Sequence, residues 1–214
     1  MSRFERPRSL TDLVADRLRR DIVDGVYGFG ECLSEVTIAR KLDVSRTPVR
    51  EAFARLENER LVRSEPQRGT FVFSMGRDEL IQICDVRLML EAGALRLGME
   101  RDRNGLHKAL ATRLERMEQA RERGDAKSYL RLDADYHQAL IEGAGNLYLE
   151  ECYQAIGPRM AALRNKLGVD PDSMTKSYAE HRHITAHIGA DEAGAAIRML
   201  TTHIGRKEGS YWNI

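Results

Sequence analysis

The segment VSRTPVREA, residues 44–52, decides the fold of the N-terminal part of the chain. Ser45 can cap a helix over about residues 46–58, because a serine side chain accepts a hydrogen bond from the first helical turn. The apolar residues of this helix recur on one face: Val49, Phe53 and Leu56. The segment therefore predicts a short helix with one face towards a core and a basic face opposite.

Two further helical patterns precede this segment. The first covers about residues 10–24 and ends at glycines, and the second covers about residues 34–42, with Ser34 as its cap. Only a three-residue turn, residues 43–45, separates the second helix from the third. Two helices joined by so short a turn are typical of a helix-turn-helix.

A β-hairpin follows the three helices. Strand patterns cover residues 61–63 and 70–73, and Pro66-Gln67-Arg68-Gly69 lies between them as the tip. Such a hairpin beside a helix-turn-helix is a wing. Arg68 and Gly69 are expected to enter the minor groove of DNA, since glycine permits a close approach of the backbone.

The third helix carries the other residues expected to contact double-stranded DNA. Arg46 and Arg50 are four residues apart and share one helical face, with Thr47 beside them. The first turn of a recognition helix reaches base edges in the major groove, where arginine binds guanine through two hydrogen bonds. The hydroxyls of Ser45 and Thr47 suit phosphates.

The remainder of the chain is expected to be helical throughout. The predicted helices cover about residues 77–100, 106–123, 126–143, 146–167, 171–189 and 191–209. Six helices of this length favour an antiparallel bundle. The fold class is therefore mainly α, with a winged helix-turn-helix domain over residues 1–75 and an all-helical effector-binding and dimerisation domain over residues 76–214.

Composition excludes several classes of protein. The net charge is +1, and residues 1–75 contain 14 Lys and Arg against 12 Asp and Glu, so affinity for DNA must come from charge placed on one face.

No run approaches the ~20 apolar residues of a membrane helix. With no signal peptide either, a cytoplasmic protein without membrane contact is expected. The three scattered cysteines fit neither a disulfide framework nor a zinc site, and are expected to be small core residues.

Histidines and one aspartate form a candidate metal site in the helical part. Asp133 and His137 lie four residues apart on one helical face, and His181 and His203 lie on the last two helices. Three imidazoles and a carboxylate suit zinc, nickel or manganese. Spacing alone leaves two alternatives open, namely a surface hydrogen bond between Asp133 and His137 or a rival pair formed by His183 and His187.

The N-terminal residues resemble the DNA-binding domain of the GntR family of bacterial regulators over about residues 9–73. The motifs are Leu33-Ser34-Glu35, Ile38-Ala39, residues 42–52 with the VSRTPVREA segment, Leu56, Leu61-Val62 and Arg68-Gly69-Thr70-Phe71-Val72. Three positions depart from the family pattern. Val36 stands where a basic contact residue is usual, which puts a contact from the second helix in doubt, and Asp43 and Arg60 replace glycines.

The helical part resembles the FCD effector domain over about residues 78–206. The motifs are Asp133-x-x-Tyr136-His137, Gly145-Asn146, Leu149, Glu180-His181, Met199 and His203. The resemblance implies that Asp133, His137, His181 and His203 hold a divalent metal, with zinc favoured, beneath a small carboxylate effector. It also places Arg87 where an arginine often faces the effector, although a salt bridge to Glu91 is an equal alternative; Arg164 is a second candidate for the effector pocket.

These expectations combine into a ligand-responsive transcription regulator and not an enzyme. A homodimer would address a near-palindromic operator, and repression relieved by a small organic acid is the expected mode. Two alternatives remain: a constitutive DNA-binding protein whose helical domain only dimerises, and a metal-dependent enzyme with a DNA-binding head. The enzyme lacks an obvious general base, since neither Glu142 nor Glu180 has a clear catalytic spacing.

Overall fold

The computed structural model describes residues 8–167 and 170–205. The chain divides into two compact units, which meet between Ser74 and Met75. The first unit combines helices with a small sheet and the second is helical, so the architecture is mainly α, as the sequence predicts.

The N-terminal unit contains three helices and three strands among its described residues. The elements are α1 (Leu10–Val23), β1 (Cys32–Leu33), α2 (Glu35–Leu42), α3 (Arg46–Asn58), β2 (Val62–Glu65) and β3 (Gly69–Val72). The sheet is antiparallel with strand order β1-β3-β2, and Val62 pairs with Val72 across the hairpin. The winged helix-turn-helix expected from the sequence is therefore present, with β1 as an additional strand.

The turn between α2 and α3 depends on Asp43. This residue adopts a left-handed conformation with φ of 52° and ψ of 49°, which aspartate tolerates better than most residues. The conformation ends α2 and allows α3 to begin three residues later. α3 then packs on α1 through buried apolar side chains, among them Leu18, Val49 and Leu56.

The helical unit contains six helical segments among its described residues: α4 (Arg77–Glu122), α5 (Ala126–Glu142), α6 (Leu147–Gln154), α7 (Gly157–Leu167), α8 (Pro171–Gly189) and α9 (Ala193–Ile204). α4 packs along α5, α8 and α9, and α7 packs on α5. The centre of this bundle combines apolar side chains with a group of buried charged and polar ones. None of the described helices is long and apolar enough to cross a membrane.

Helix boundaries differ from the sequence prediction at three places. α4 runs through the predicted gap after residue 100 and is interrupted only at Asp102, which has φ of −153° and accepts a hydrogen bond from the backbone N–H of Gly105. The predicted helix over residues 146–167 is instead two helices, because Pro158 has no N–H to donate to the carbonyl of Gln154. The predicted helix over residues 191–209 begins at Ala193, and residues 206–209 lie outside the described residues.

The expectation that all three cysteines are core residues was wrong for two of them. Cys84 is buried in α4, whereas Cys32 and Cys152 are exposed. Cys32 lies on the short strand β1, whose outer face is open to solvent.

Candidate nucleic-acid interface and metal centre

The basic face of α3 is solvent-exposed. Arg46 and Arg50 expose 59% and 68% of their side chains, and both are hydrogen-bonded to Glu35 on α2. The carboxylate accepts from Nη2 of Arg46 at 3.0 Å and from Nε and Nη2 of Arg50 at 3.1 Å each. Glu35 therefore joins the two arginines in one hydrogen-bonded group. The hydrogen bond from Arg50 is the main cause of a lowered pKa at Glu35, with a smaller contribution from Arg46.

Ser45 is at the N-cap of α3, but its side chain makes no capping hydrogen bond. The third residue of the helix is Pro48, which lacks the N–H that a capping serine usually engages. Ser34, by contrast, caps α2 by accepting from the N–H of Thr37 at 3.3 Å. The hydroxyls of Ser45 and Thr47 are therefore exposed at the start of α3, and that of Ser45 is not engaged in a capping hydrogen bond.

The wing presents a second pair of arginines held by one carboxylate. Glu65 accepts from Nη2 of Arg63 and contacts Nη1 of Arg68, both at 2.5 Å. Arg68 exposes 73% of its side chain at the tip. Gly69 beside it has φ of +112°, a conformation that requires glycine, and an added Cβ would lie 3.4 Å from Sγ of Cys32.

Four buried residues from three helices converge in the centre of the helical unit: Asp133 and His137 from α5, His181 from α8 and His203 from α9. Their candidate ligand atoms lie within 4.8 Å of one another. Nε2 of His137 is 3.1 Å from Nε2 of His181 and 3.2 Å from Nε2 of His203. The carboxylate oxygens of Asp133 are 3.9 Å from Nε2 of His137 and 3.7 Å from Nε2 of His181.

An outer layer of polar side chains contacts the other nitrogen of each ring. Glu91 on α4 lies 2.7 Å from Nδ1 of His137, and Glu180 lies 2.8 Å from Nδ1 of His203. Ser177 lies 3.4 Å from Nδ1 of His181 and donates to Asp133 at 3.3 Å. Carboxylates that accept from Nδ1–H fix the ring orientation and leave Nε2 as the ligating atom, which is the usual outer arrangement of a histidine metal site.

The donor set fits a metal ion on geometric grounds. Two nitrogens bound at about 2.1 Å to one ion stand about 3.0 Å apart at a right angle and about 3.4 Å apart at the tetrahedral angle. The observed separations of 3.1 and 3.2 Å fall between these values. If Glu91 and Glu180 hold a proton on Nδ1, then Nε2 of His137 and of His203 present lone pairs to each other, and a cation between them removes the repulsion.

Electrostatics keep His137, His181 and Asp133 in the ionisation state that a metal requires. Burial, assisted by the positive charge of Arg87, holds the pKa of His137 well below 6.5. Burial and the neighbouring His203 lower the pKa of His181 to about 3. Burial alone would raise the pKa of Asp133, but Arg164 and the imidazoles hold it below its ordinary value. Metal ligands must be deprotonated, so neutral imidazoles and an ionised carboxylate are the appropriate species.

Two buried guanidinium groups flank the cluster. Nε of Arg87 donates to Glu91 at 2.6 Å, which is the salt bridge considered from the sequence, and Nε of Arg164 contacts Asp133. Each of these arginines also has a buried Nη2 atom without a hydrogen-bond partner among the described residues. A buried donor without a partner is costly, so these two Nη2 atoms are available to donate to a ligand or to a water molecule.

Comparison with known proteins identifies both units. Residues 10–72 match the model of the bacterial regulatory proteins of the gntR family, and residues 82–206 match the FCD domain. The chain belongs to the GntR family. As such it is a DNA-binding transcription regulator and not an enzyme, and its second unit is an FCD domain.

Curated and solved GntR relatives align along most of the chain. The gluconate operon transcriptional repressor of Bacillus subtilis (strain 168) is 34% identical, over 87% of this chain and 79% of the relative. The Nta operon transcriptional regulator of Aminobacter aminovorans is 29% identical, over 82% of this chain and 81% of the relative. The crystal structure of a GntR transcriptional regulator from Rhodococcus sp. RHA1 superposes with a TM-score of 0.82 at 26% identity, covering 92% of this chain and 94% of that one.

The structure of this GntR regulator brings together the four residues that were predicted from the sequence to bind a metal: Asp133, His137, His181 and His203. His183 and His187 lie apart from them: His183 is exposed, and His187 pairs with Glu192 at 2.6 Å. The sequence patterns did not predict that Glu91, Glu180 and Ser177 contact Nδ1 of the three histidines. The available signal was the i, i+4 spacing of Ser177 and His181 on a single helix, which places them on one face.

Proposed function

We propose that this GntR regulator is a repressor whose FCD domain binds a divalent metal and a small carboxylate, and that the carboxylate changes its affinity for an operator. The observation that carries this proposal is the convergence of three imidazole Nε2 atoms and a carboxylate beside two buried arginines with unpaired Nη2 atoms.

Asp133, His137, His181 and His203 would hold the metal, with zinc the favoured ion and nickel and manganese as alternatives. A bound metal would supply a Lewis-acidic positive charge that accepts an anionic oxygen. The outer contacts from Glu91 and Glu180 keep two of the rings in the ligating orientation. The FCD identity of the domain and the burial of all four residues support this assignment.

Arg87 and Arg164 would bind the carboxylate. Guanidinium groups bind carboxylates through parallel, charge-assisted hydrogen bonds, and each of these arginines offers a buried Nη2 for that purpose. Charge balance favours the same ligand. The carboxylates of Glu91 and Asp133, which are buried, and of Glu180, which is partly buried, together exceed the two guanidiniums by one charge, so a divalent ion leaves the group with a net positive charge that an anion neutralises.

The chemical class of the effector is a small organic acid. A relative that is 34% identical is named as the repressor of a gluconate operon, and gluconate is a small hydroxy acid. This supports both the carboxylate class and the repressor mode. Binding of the acid can relieve repression only by the difference between its affinities for the DNA-binding and the released states of the protein.

The winged unit would contact the operator through Ser45, Arg46, Thr47 and Arg50 on α3 and through Arg68 and Gly69 on the wing. All six residues are exposed to solvent, four of them near the start of α3 and two at the tip of the wing. The near-neutral charge of this unit favours a homodimer on a near-palindromic operator, because two half-sites bound together supply affinity that bulk charge does not.

Metal binding is tested by elemental analysis and native mass spectrometry of the purified protein. We expect one divalent ion per chain, and we expect His137→Ala to lose it and to unfold at a lower temperature. His187→Ala is the matched control, because His187 pairs with Glu192 outside the cluster. Absence of metal after incubation with Zn²⁺, together with an unchanged thermal midpoint in His137→Ala, would contradict the metal site.

The effector is tested by thermal shift and gel shift with a panel of small carboxylates that includes gluconate. A carboxylate that binds should raise the thermal midpoint and change the affinity for DNA. Arg87→Lys and Arg164→Lys keep the charge but lose the planar pair of nitrogens that binds a carboxylate through two parallel hydrogen bonds. Both variants should weaken this response at least tenfold, whereas Arg131→Lys on the exposed surface should not. If no carboxylate changes DNA affinity, the helical domain only dimerises.

The DNA interface is tested by binding to duplexes selected from a random library. Arg46→Ala and Arg50→Ala should each weaken binding to the selected sequence by about tenfold, corresponding to the ~1–3 kcal/mol of a guanine contact. Arg131→Ala in the helical unit removes the same charge away from the interface and should leave affinity unchanged. Equal affinities for all of these variants would reject the assignment of α3.

A further inference from the structure

We propose that Glu35 determines base discrimination by this regulator, because its carboxylate fixes the directions of Arg46 and Arg50 and suppresses their binding to phosphates. The inference rests on the proposed DNA interface of α3. It assigns a role to an acidic residue on the helix that precedes the recognition helix, where an anion would otherwise be unfavourable beside DNA.

The geometry of the Glu35–Arg50 pair leaves a defined part of the guanidinium available. Glu35 accepts from Nε at 3.1 Å through Oε1 and from Nη2 at 3.1 Å through Oε2, so one edge of the planar group is occupied. The remaining donors are the two hydrogens of Nη1 and the second hydrogen of Nη2. One hydrogen of Nη1 and the second hydrogen of Nη2 form the end-on edge, which can donate two hydrogen bonds to O6 and N7 of a guanine.

Arg46 shares the same carboxylate. Oε2 of Glu35 accepts from Nη2 of Arg46 at 3.0 Å and from Nη2 of Arg50 at 3.1 Å, so a single oxygen joins the two side chains. A long side chain that is already ordered loses less conformational entropy on binding. Glu35 therefore fixes the distance between the two guanidinium groups before they contact neighbouring base pairs.

The charge of Glu35 has a second effect, on binding that is independent of sequence. Arginine contacts to phosphates supply most non-specific affinity and depend on net positive charge. One carboxylate beside two guanidiniums lowers that charge at the contact surface. The next residue, Val36, exposes 47% of its surface and is apolar, so it brings no cation to replace the charge that Glu35 offsets.

The two effects have different sensitivities to substitution. Glu35→Gln removes the charge and weakens the hold on both arginines. Glu35→Asp keeps the charge but shortens the side chain by one methylene, so it cannot span both guanidiniums in the same way. If Glu35 both orients the two arginines and offsets their charge, both variants should lose base discrimination. Only Glu35→Gln should then bind more strongly to non-specific DNA.

The experiment uses the full-length protein and a randomised duplex library, with sequencing of the bound fraction. The selected sequence of the wild type is compared with those of Arg46→Ala and Arg50→Ala, which identify the base positions that each arginine contacts. Affinities of all variants are then measured for the selected duplex, for duplexes altered at those positions and for a scrambled duplex. Glu31→Gln is the matched control, since Glu31 carries the same charge in the same unit but accepts from the N–H of Gly28.

We expect Glu35→Gln to lose discrimination at least fivefold at the positions assigned to Arg46 and Arg50, and at those positions alone. Its affinity for the scrambled duplex should rise about two- to fivefold, and its salt dependence should steepen by up to about one released counterion per subunit. Glu35→Asp should lose discrimination without the gain in non-specific affinity. Glu31→Gln should keep the wild-type preferences, and all variants should keep the wild-type thermal midpoint.

Three results would overturn the proposal. Discrimination within twofold of the wild type in Glu35→Gln would show that the arginines need no positioning. A uniform loss at every base position with a lower thermal midpoint would show that Glu35 only supports the fold. If Arg46→Ala and Arg50→Ala leave the selected sequence unchanged, the DNA interface itself is misassigned, and the role of Glu35 fails with it.

Discussion

The carboxylate of Glu91 lies 2.7 Å from Nδ1 of His137, and both side chains are fully buried. The other oxygen of the same carboxylate accepts from Nε of Arg87 at 2.6 Å and from the hydroxyl of Tyr153 at 3.1 Å. One buried carboxylate on α4 therefore connects a candidate metal ligand to a candidate effector-binding arginine.

Replacing Glu91 should strongly destabilise the FCD domain. Glu91→Leu leaves the guanidinium of Arg87 buried without a counterion, which costs about 3–5 kcal/mol of the free energy of unfolding. The measurement is urea unfolding of the metal-free protein. The double variant Arg87→Met/Glu91→Leu removes both charges and should recover part of this loss, whereas Glu142→Leu at an exposed site should change stability by no more than about 0.5 kcal/mol. A cost below about 1 kcal/mol for Glu91→Leu would contradict this view of the pair.

Glu180 should tune metal affinity with less effect on folding. Glu180→Gln keeps an oxygen for Nδ1 of His203 but removes the negative charge that makes the ring a better donor, so affinity for Zn²⁺ should fall about tenfold or more. The measurement is competition with a chromophoric chelator. Glu192→Gln is a close control, because Glu192 makes the same contact with Nδ1 of His187 outside the cluster. Equal affinities in the two variants would argue against a metal held by His203.

The outer layer shows why part of the site was not accessible from the sequence. Glu180 and His181 are adjacent in the chain, but Glu180 contacts His203, which lies 23 residues further on. Glu91 contacts His137 from a separate helix, 46 residues away. These pairings are set by the packing of α4, α8 and α9, whereas the Asp133–His137 pair follows from helical periodicity within α5.

The fold was predictable where periodicity and turn chemistry coincide. The helix that begins after the turn at Asp43 and the hairpin around Gly69 follow from local residues alone. The split between α6 and α7 also had a local signal in Gly157-Pro158, which the uniform helical pattern of residues 146–167 obscured. Strand β1 had none, because two residues carry no alternation and its pairing is made by the backbone of β3.

The stability of the metal-free protein should fall in mild acid. The folded protein holds the pKa of His137 well below 6.5 and that of His181 at about 3, whereas the unfolded chain protonates both near pH 6.5. Below pH 6.5 the unfolded state therefore binds more protons, and the free energy of unfolding drops with decreasing pH by up to about 1.4 kcal/mol per pH unit for each histidine. For His181 this decline should continue towards pH 3.

Urea unfolding at a series of pH values in the presence of a chelator measures this slope. His181→Asn removes one of the two groups, so its slope between pH 6.5 and 5 should be smaller than that of the wild type by about one proton. A wild-type stability that stays constant across this range would show that the buried imidazoles accept protons in the folded state.

The wing should contribute affinity with a distinct salt signature. Arg68 exposes 73% of its side chain at the tip, so Arg68→Ala removes a cation from the proposed minor-groove contact without opening a core. Affinity for the selected duplex should fall about tenfold, and the dependence of log K on log salt should become shallower by about one per wing. The measurement is fluorescence anisotropy between 50 and 200 mM salt, the range over which such contacts weaken most clearly. Arg123→Ala, at an exposed position in the helical unit, removes the same charge and should leave both quantities unchanged. If Arg68→Ala and Arg123→Ala behave alike, the wing tip does not contact the operator.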